Sequence, residues 1–524
     1  MNLFRNDATK YLLPALAVAA LAAGLRLYDL GERSLSLDEC IMREVVCSPW
    51  SGLVKTNNRI HSASPLYPAI AKTARLFLPD TEFGNRLPAC IFGILAVAGL
   101  ALAFPAPLGT AGIAAAFLMA GAPMQLWLSR DDNGYSLLVL AAVLCCRLYC
   151  RMEVPEAGNR EKNAAQTILW LLAGAEILAI WAHYQGVFVA AGLQAAYLLE
   201  RRMKTRPLPS LRNWIFAHLA VLTAVVALIP TSLAAQMVSN PRGTTYLADQ
   251  YFQFGSESFL PWLAGNIRGF LESAVTPSHH GSIWIYLLVT AGTGVFLLQT
   301  AFRRDFPKHD PRAGRRTGDR LAARILIALN AGLFGVLLAA ALAGVYPFGG
   351  IRHVVFLTVP FYLAVGWALV RGFGRFSPIW VLALALIWFP GIRDHYGLTL
   401  YAGEHIRPLV ELLNRSEDAD PVYVYRAAMR AFTHYNQKPE RLVVFSHAPF
   451  SMEQVKKDLA RIPHRRFWAV SSHSSSRRDA MLEAGLAAAS CRIESRWKTP
   501  GARLWRVVRT GNAESFSRQR DGGR

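Results

Sequence analysis

Two acids stand side by side in the stretch RLYDLGERSLSLDECIMREVV, Asp38 and Glu39. A carboxylate within hydrogen-bond reach of an acceptor hydroxyl can take its proton as a general base. The same acids have a structural use if Ser36 caps a helix and they fill its first turn; residue type alone leaves both readings open. A second acidic pair, Asp131 and Asp132, falls in WLSRDDNGYSLL. These acids suit sugar hydroxyls or a divalent cation, or else a charged hairpin in which Asn133-Gly134 supplies left-handed geometry.

Four further places carry candidate side chains. His61 precedes the segment SPLYPAIAKTAR, which holds Tyr67 and Lys72. AHYQG places His183 next to Tyr184, with Glu176 about a turn and a half earlier on the same helix. An ionisable group inside a span is a functional candidate by default. YPFGGIRHVVF brings Tyr346 and Arg352, whose guanidinium suits a fork-like grip on phosphate. His279-His280 is a bare pair and a weak metal signal. No P-loop, dinucleotide-binding glycine pattern, nucleophile elbow or zinc-spaced Cys/His set is present.

These residues need elements to hold them. The chain has 524 residues, 53% hydrophobic and only 17% charged, yet a net charge of +21. That composition excludes a disordered chain, a collagen and a small disulfide scaffold. Apolar windows of spanning size recur near 11–25, 87–104, 108–128, 135–150, 165–181, 186–199, 214–235, 283–301, 323–345, 353–370 and 377–391, which predicts about eleven transmembrane helices. The first window could pass for a signal peptide, but RLYDLGERSLSLDE is not the start expected of a mature protein, so we read it as a span.

Lys/Arg bias orients the spans. With the N-terminus in the cytosol, the inside loops carry +13, the rest of the membrane body −1 and the tail from 392 onward +9. Most of the basic excess is therefore membrane topology, and no nucleic-acid partner is called for. In this orientation Asp38, Asp131, His183 and Arg352 all fall on the outer side. Two outer segments are long, 26–86 and 237–281. Cys40 and Cys47, two turns apart on one predicted helix, lie beyond disulfide reach. The tail alternates strands (VYVY, LVVF, FWAV and two ending in LWRVV) with short amphipathic helices. It reads as a small extracytoplasmic α/β domain over 392–510, with 511–524 disordered.

In order, the pieces RLYDLGERSLSLDE, SPLYPAI, EFGNRLPACIFGILAV, APMQLWLSRDDNGYSLLVL, HYQGVFV and GGIRHVVFLTVPFYLAV resemble membrane glycosyltransferases of the GT-C type, in the broad family 39 group. That group includes protein O-mannosyltransferases and the aminoarabinose transferases of lipid A. The resemblance covers roughly residues 10–370 and implies a GT-C transmembrane catalytic domain over 1–391. It also implies a polyprenyl-phosphate sugar donor, an extracytoplasmic acceptor (glycolipid, polysaccharide or protein) and inversion at the anomeric carbon.

By the same resemblance Asp38 is the base and Glu39 the second member of its pair. Asp131 falls at the acid of a Q-E-A-R-like turn, and Arg352, with Tyr346 nearby, lies by the lipid phosphate. Tyr67 and Lys72 are further candidates for holding that phosphate; His61, Asp132, His183, Tyr184 and Glu176 complete the candidate set. A divalent metal at Asp131 and Asp132 is compatible with the sequence without being required by it. The chain departs from the pattern at Asn133, where the family's turn has Arg, at Ile41, where the aminoarabinose transferases have Arg, and at Ser64-Pro65 before Leu66-Tyr67. The expected setting is a bacterial inner membrane. A transporter of lipids or small molecules, without chemistry, is the alternative; it predicts paired halves and broken helices at mid-membrane, and no internal repeat is visible.

Overall fold

The computed structural model describes residues 7–61, 63–102, 104, 108–152, 159–234, 250–275, 282–302, 313–349, 352–397, 404–447 and 451–510. The 511–524 tail, His279-His280 and both ends of the 237–281 segment lie outside the described residues. The chain forms two compact units, one of Met1–Leu30 with Val45–Arg393 and one of Gly31–Glu44 with Asp394–Arg524.

The first unit is helical: α1 (Asp7–Leu27), the last residues of α2 (Leu37–Cys47), then α3 (Leu53–Ile60), α4 (Leu66–Ala74), α5 (Glu82–Leu102), α6 (Gly109–Gly121), α7 (Pro123–Leu128), α8 (Tyr135–Arg151), α9 (Asn159–Ala182), α10 (Gly186–Met203) and α11 (Leu211–Leu228). Further helices span Phe259–Val275, Ser282–Ala301, Ala313–Leu342, Thr358–Phe373 and Ser377–Leu386. Each apolar window is helical through most of its length. The 108–128 window breaks at Ala122, whose extended backbone (φ −60°, ψ 121°) is what a following proline imposes. Phe259–Val275 is a helix inside a segment expected to be loop, and it buries Trp262, Phe270 and Leu271.

Among the described residues five stretches are long and apolar enough to cross a membrane: Glu82–Leu102, Asn163–Ala182, Leu211–Leu233, Thr317–Leu342 and Arg352–Leu386; Tyr11–Leu27, Gly109–Gly121 and Leu287–Ala301 are shorter apolar helices. The windows 353–370 and 377–391 fall largely within one such stretch. Those at 135–150 and 186–199 became α8 and α10, which carry Arg147 and Arg151 or Glu200 to Arg202 near one end. Large side chains such as Leu13, Phe216, Leu222 and Leu288 point outward, exposed, as lipid-facing residues do. This is a membrane protein.

Packing inside the unit relies on small residues where helices approach closely. A Cβ on Gly332 would lie 2.4 Å from the Gly192 carbonyl oxygen of α10, so only hydrogen fits there. Helix ends are closed by buried arginines. Arg26, at the end of α1, donates to the Ala120 carbonyl at the end of α6 (3.1 Å). Arg206 forms a two-pronged pair with Glu200 (3.0 and 3.2 Å) and donates to the last carbonyls of α8, Tyr149 and Cys150. Buried charges persist only when satisfied in this way.

The second unit contains a five-stranded sheet in the order β2-β1-β3-β5-β4. Here β1 is Val422–Val424, β2 Val443–Phe445, β3 Arg466–Ser472, β4 Cys491–Thr499 and β5 Ala502–Arg509. β1 pairs in parallel with β2 and β3, and the remaining pairs are antiparallel. Helices Met429–Tyr435 and Met452–Leu459 make the parallel crossovers. Alternation along β3 splits the core in two. Trp468 and Val470 join Leu409, Val410, Phe432 and Leu504 in one layer, while Phe467 and Ala469 join Leu482, Leu486 and Trp505 in the other. Leu35 and Cys40 are buried in the first of these layers. Residues 31–44, expected to belong to the membrane body, go with the tail for that reason.

Candidate active site

The turn after α7 is held by its own side chains. Ser129 Oγ donates to the Gln125 carbonyl (2.7 Å) and ends α7, while Arg130 donates to the Asp29 carbonyl beyond α1 (2.9 Å). Asn133 does two jobs: its Nδ2 donates to Asp131 (2.6 Å) and its Oδ1 accepts from the Tyr135 N–H that opens α8 (3.0 Å). From α4, the Tyr67 hydroxyl donates to Asp132 Oδ1 (2.7 Å). Arg130, Asp131, Asp132 and Asn133 are all buried. A charged hairpin tip would be solvated, so the exposed-hairpin reading fails.

The left-handed geometry expected of Asn133-Gly134 is absent too: Gly134 has φ −76°. Its glycine is required by space. A Cβ there would lie 2.7 Å from the Ala182 carbonyl and 3.3 Å from Tyr67 Cβ. The start of α8, the end of α9 and α4 therefore meet over a hydrogen atom.

A cationic and aromatic chain adjoins this turn. The Arg352 guanidinium lies 5.9 Å from the Tyr135 ring centroid, and the Tyr135 ring is 4.5 Å from that of His183. Tyr346 donates through its hydroxyl to the His353 carbonyl (3.3 Å) and packs on Phe188. His183, in the short turn between α9 and α10, is half-buried. Burial pushes its pKa down to about 3, helped by the positive potential of His353, Arg352 and His61. The shift favours the neutral imidazole, a hydrogen-bonding group rather than a cation.

Thus Tyr67, Asp131, Asp132, His183 and Arg352, drawn from four separate segments, come together in the first unit with Tyr135. Tyr346 and His353 lie beside them. The sequence reading missed Tyr135 and His353; the available signal was an aromatic directly after the acidic turn and a histidine directly after Arg352.

Other candidates have different neighbours. Tyr184 donates to the Ala63 carbonyl (3.0 Å) and shares a hydrogen bond with Ser232 (2.6 Å), which ties the loop before α4 to the turn that follows α11. Lys72 donates to the carbonyls of Val46 and Ser48 and sits over the Trp50 ring. Glu176 is buried in α9 against His218 of α11 (3.1 Å), whose other nitrogen meets the Trp214 carbonyl (2.8 Å). His61 caps α3 through its backbone N–H.

Asp38 and Glu39 belong to the second unit and open α2. Ser36 and Glu39 form a reciprocal capping box: the Ser36 N–H donates to Glu39 Oε2 (2.8 Å) and the Glu39 N–H to Ser36 Oγ (3.2 Å). Glu39 is buried and also faces Arg33 at 3.9 Å, while Asp38 is half-buried. Cys40 and Cys47 are both free thiols. Among the described residues no three His, Cys, Asp or Glu side chains converge as a metal site would need. Asp131 accepts from Asn133 and Asp132 from Tyr67.

No protein-family model matches the chain. No curated protein matches it in sequence. Solved structures do match in shape. ArnT from Cupriavidus metallidurans in the apo state superposes with a TM-score of 0.51 at 14% identity, over 95% of this chain and 98% of that one. The same ArnT bound to undecaprenyl phosphate gives 0.42 at 13% identity over the same shares. The oligosaccharyltransferase of Archaeoglobus fulgidus, tethered to an acceptor peptide, gives 0.49 at 10% identity, over 88% of this chain and 69% of that one. The likeness to apo ArnT runs through both units, and by architecture the chain has the GT-C fold.

Proposed function

We propose that this protein is an inverting glycosyltransferase that moves a sugar from a polyprenyl-phosphate donor to an acceptor outside the cytoplasm. The observation that carries the reading is the buried Asp131-Asp132 turn, bonded to Tyr67 and adjoined through Tyr135 by neutral His183 and cationic Arg352, on a GT-C fold. Buried acids with fixed donors suit the recognition of sugar hydroxyls, and a guanidinium suits a phosphate leaving group.

In the proposed reaction the acceptor hydroxyl attacks the anomeric carbon and the bond to the lipid-phosphate oxygen breaks. Asp38 receives the hydroxyl proton. Arg352 takes the charge that develops on the departing phosphate, with Tyr346 beside it. Glu39 holds the first turn of α2, so that Asp38 has a fixed helical position. His183, being neutral, orients groups without competing for the phosphate. The role of Asp38 rests on the sequence resemblance, as do inversion and the lipid donor. About eleven spans follow from the apolar windows, a cytosolic N-terminus and an extracytoplasmic tail from the charge bias of the loops, and a bacterial inner membrane is the setting that fits both.

The test is donor turnover by the full-length protein in lipid nanodiscs, using undecaprenyl phosphate linked to aminoarabinose, glucose, mannose or galactose. Release of undecaprenyl phosphate from one of them is expected, with loss in Asp38→Asn and in Arg352→Gln. Wild-type rates in both variants would overturn the assignment. One observation favours the transporter reading, the buried Glu176–His218 pair within the bundle. If Glu176→Gln abolished a measured solute flux while no donor turned over, transport would replace transfer.

A further inference from the structure

The tail unit holds residues 31–44 in a way that bears on Asp38. The stretch 31–36 precedes α2 without regular structure, so its backbone polar groups need partners elsewhere. They find them on side chains 367 to 400 residues away. The Leu35 N–H donates to the Tyr435 hydroxyl (2.7 Å), and the Leu37 N–H donates to Glu404 Oε2. The other oxygen of Glu404 is fixed by His473 Nδ1 (2.6 Å). Arg407 donates to the carbonyls of Gly31 (3.3 Å) and Glu32 (2.7 Å), and its own N–H donates to Ser34 Oγ (2.9 Å).

Apolar contacts reinforce the polar ones. Leu35 is 1% exposed and Cys40 6%, both within the core layer built on Ile406, Val410, Phe432 and Leu504. Asp38 is therefore bracketed. One residue before it the backbone is bonded to Glu404, and two residues after it a side chain is seated in the core of the tail. At the far side of the segment, Glu44 meets Arg430 at 3.1 Å.

We propose that Tyr435 and Glu404 of the tail are positioning residues that fix the backbone of the segment carrying Asp38. This rests on the reading of Asp38 as the base. The tail is then not a separable recognition module: it fixes the backbone of the segment that removes the proton. A displacement of about an ångström at a reacting group is enough to lower a rate severely.

The experiment is a mutant cycle in the full-length protein in nanodiscs, reading undecaprenyl phosphate release from the donor that the wild type turns over best. The pair Tyr435→Phe with Glu404→Ala is expected to lower kcat by about tenfold and leave the donor KM within about twofold, as loss of positioning does. In an Asp38→Asn background the same pair should change the residual rate by less than about twofold, because residues acting through one group are not additive. Glu404→Gln keeps an acceptor for the Leu37 N–H and should restore most of the Glu404→Ala loss.

An unchanged kcat, or an equal loss with and without Asp38, would overturn the positioning role and leave the base reading intact. A wild-type rate in Asp38→Asn would instead remove the base reading itself, and this inference with it. Should the pair fail to give a monodisperse protein, Tyr435→Phe alone, which deletes a single oxygen, is read in the same cycle with the same outcomes.

Discussion

Asp38 and Asp132 each stand beside a second acid, and the protein treats the two pairs in opposite ways. At 131–132 both carboxylates are buried and bonded to neighbours, Asp131 to Asn133 and Asp132 to Tyr67. At 38–39 the work is divided. Glu39 is buried and closes the capping box, while Asp38 stays half-buried at the first turn of α2. The difference separates two uses of a carboxylate. A buried acid, shielded from water, is a fixed acceptor surface with little freedom to exchange protons. A half-buried acid on a braced helix start can still meet an incoming hydroxyl.

The comparison breaks most visibly in activity. Asp38→Asn should lower sugar transfer by a factor of about 10²–10⁴, the usual contribution of a general base, with thermal stability within a degree or two of wild type. Asp132→Ala should do the reverse in emphasis, because it strands the Tyr67 hydroxyl and empties a buried polar site. The expected cost is about 1–3 kcal/mol, read as a fall in melting temperature in detergent. If Asp132→Ala abolished turnover at unchanged stability while Asp38→Asn kept the full rate, the two acids would have to exchange roles.

Much of this arrangement was legible before any coordinates, and the parts that were not share a physical cause. Apolar windows announce helices because a span must satisfy its backbone internally. VYVY, LVVF and FWAV announce strands through their β-branched and aromatic residues. Asp131, His183 and Arg352 could be grouped because the charge bias of the loops put them on one side. Partners supplied from a distance were invisible. Nothing near Glu176 points to His218, 42 residues on and in another helix. Nothing near Leu35 points to Tyr435, so the allegiance of 31–44 to the tail could not be read. The burial of the RDDN turn was hidden for a related reason. Its charges look solvated until Tyr67 and the carbonyl beyond α1 are placed against them.

Space, as well as bonding, distinguishes the two acidic stations. Gly134→Ala would put a methyl group 2.7 Å from the Ala182 carbonyl, so the start of α8 must shift. A loss of about 1–3 kcal/mol is expected from this overpacking, with a rise in donor KM as the Tyr135–His183–Arg352 chain moves. At the other station, Ser36→Ala removes half of a capping box and should cost about 1 kcal/mol. A larger stability loss in Ser36→Ala than in Gly134→Ala would show that the start of α2 is the more tightly determined of the two.

The smallest effect is a pH dependence confined to the buried station. The folded-state pKa of His183 is pushed down to about 3, against an ordinary 6.5. Between those values the unfolded chain binds a proton that the folded protein does not. Stability therefore rises with pH across that window: the contribution of the neutral imidazole is fully present above about 6.5 and is lost progressively as the pH falls toward 3. From pH 7 to pH 6 the change is under about 1 kcal/mol. It should appear as a shallow drop in melting temperature that His183→Gln flattens. If that variant kept the slope unchanged, His183 would take up a proton in the folded protein as readily as in the unfolded chain, and below about pH 6.5 it would stand beside Arg352 as a second cation facing the phosphate.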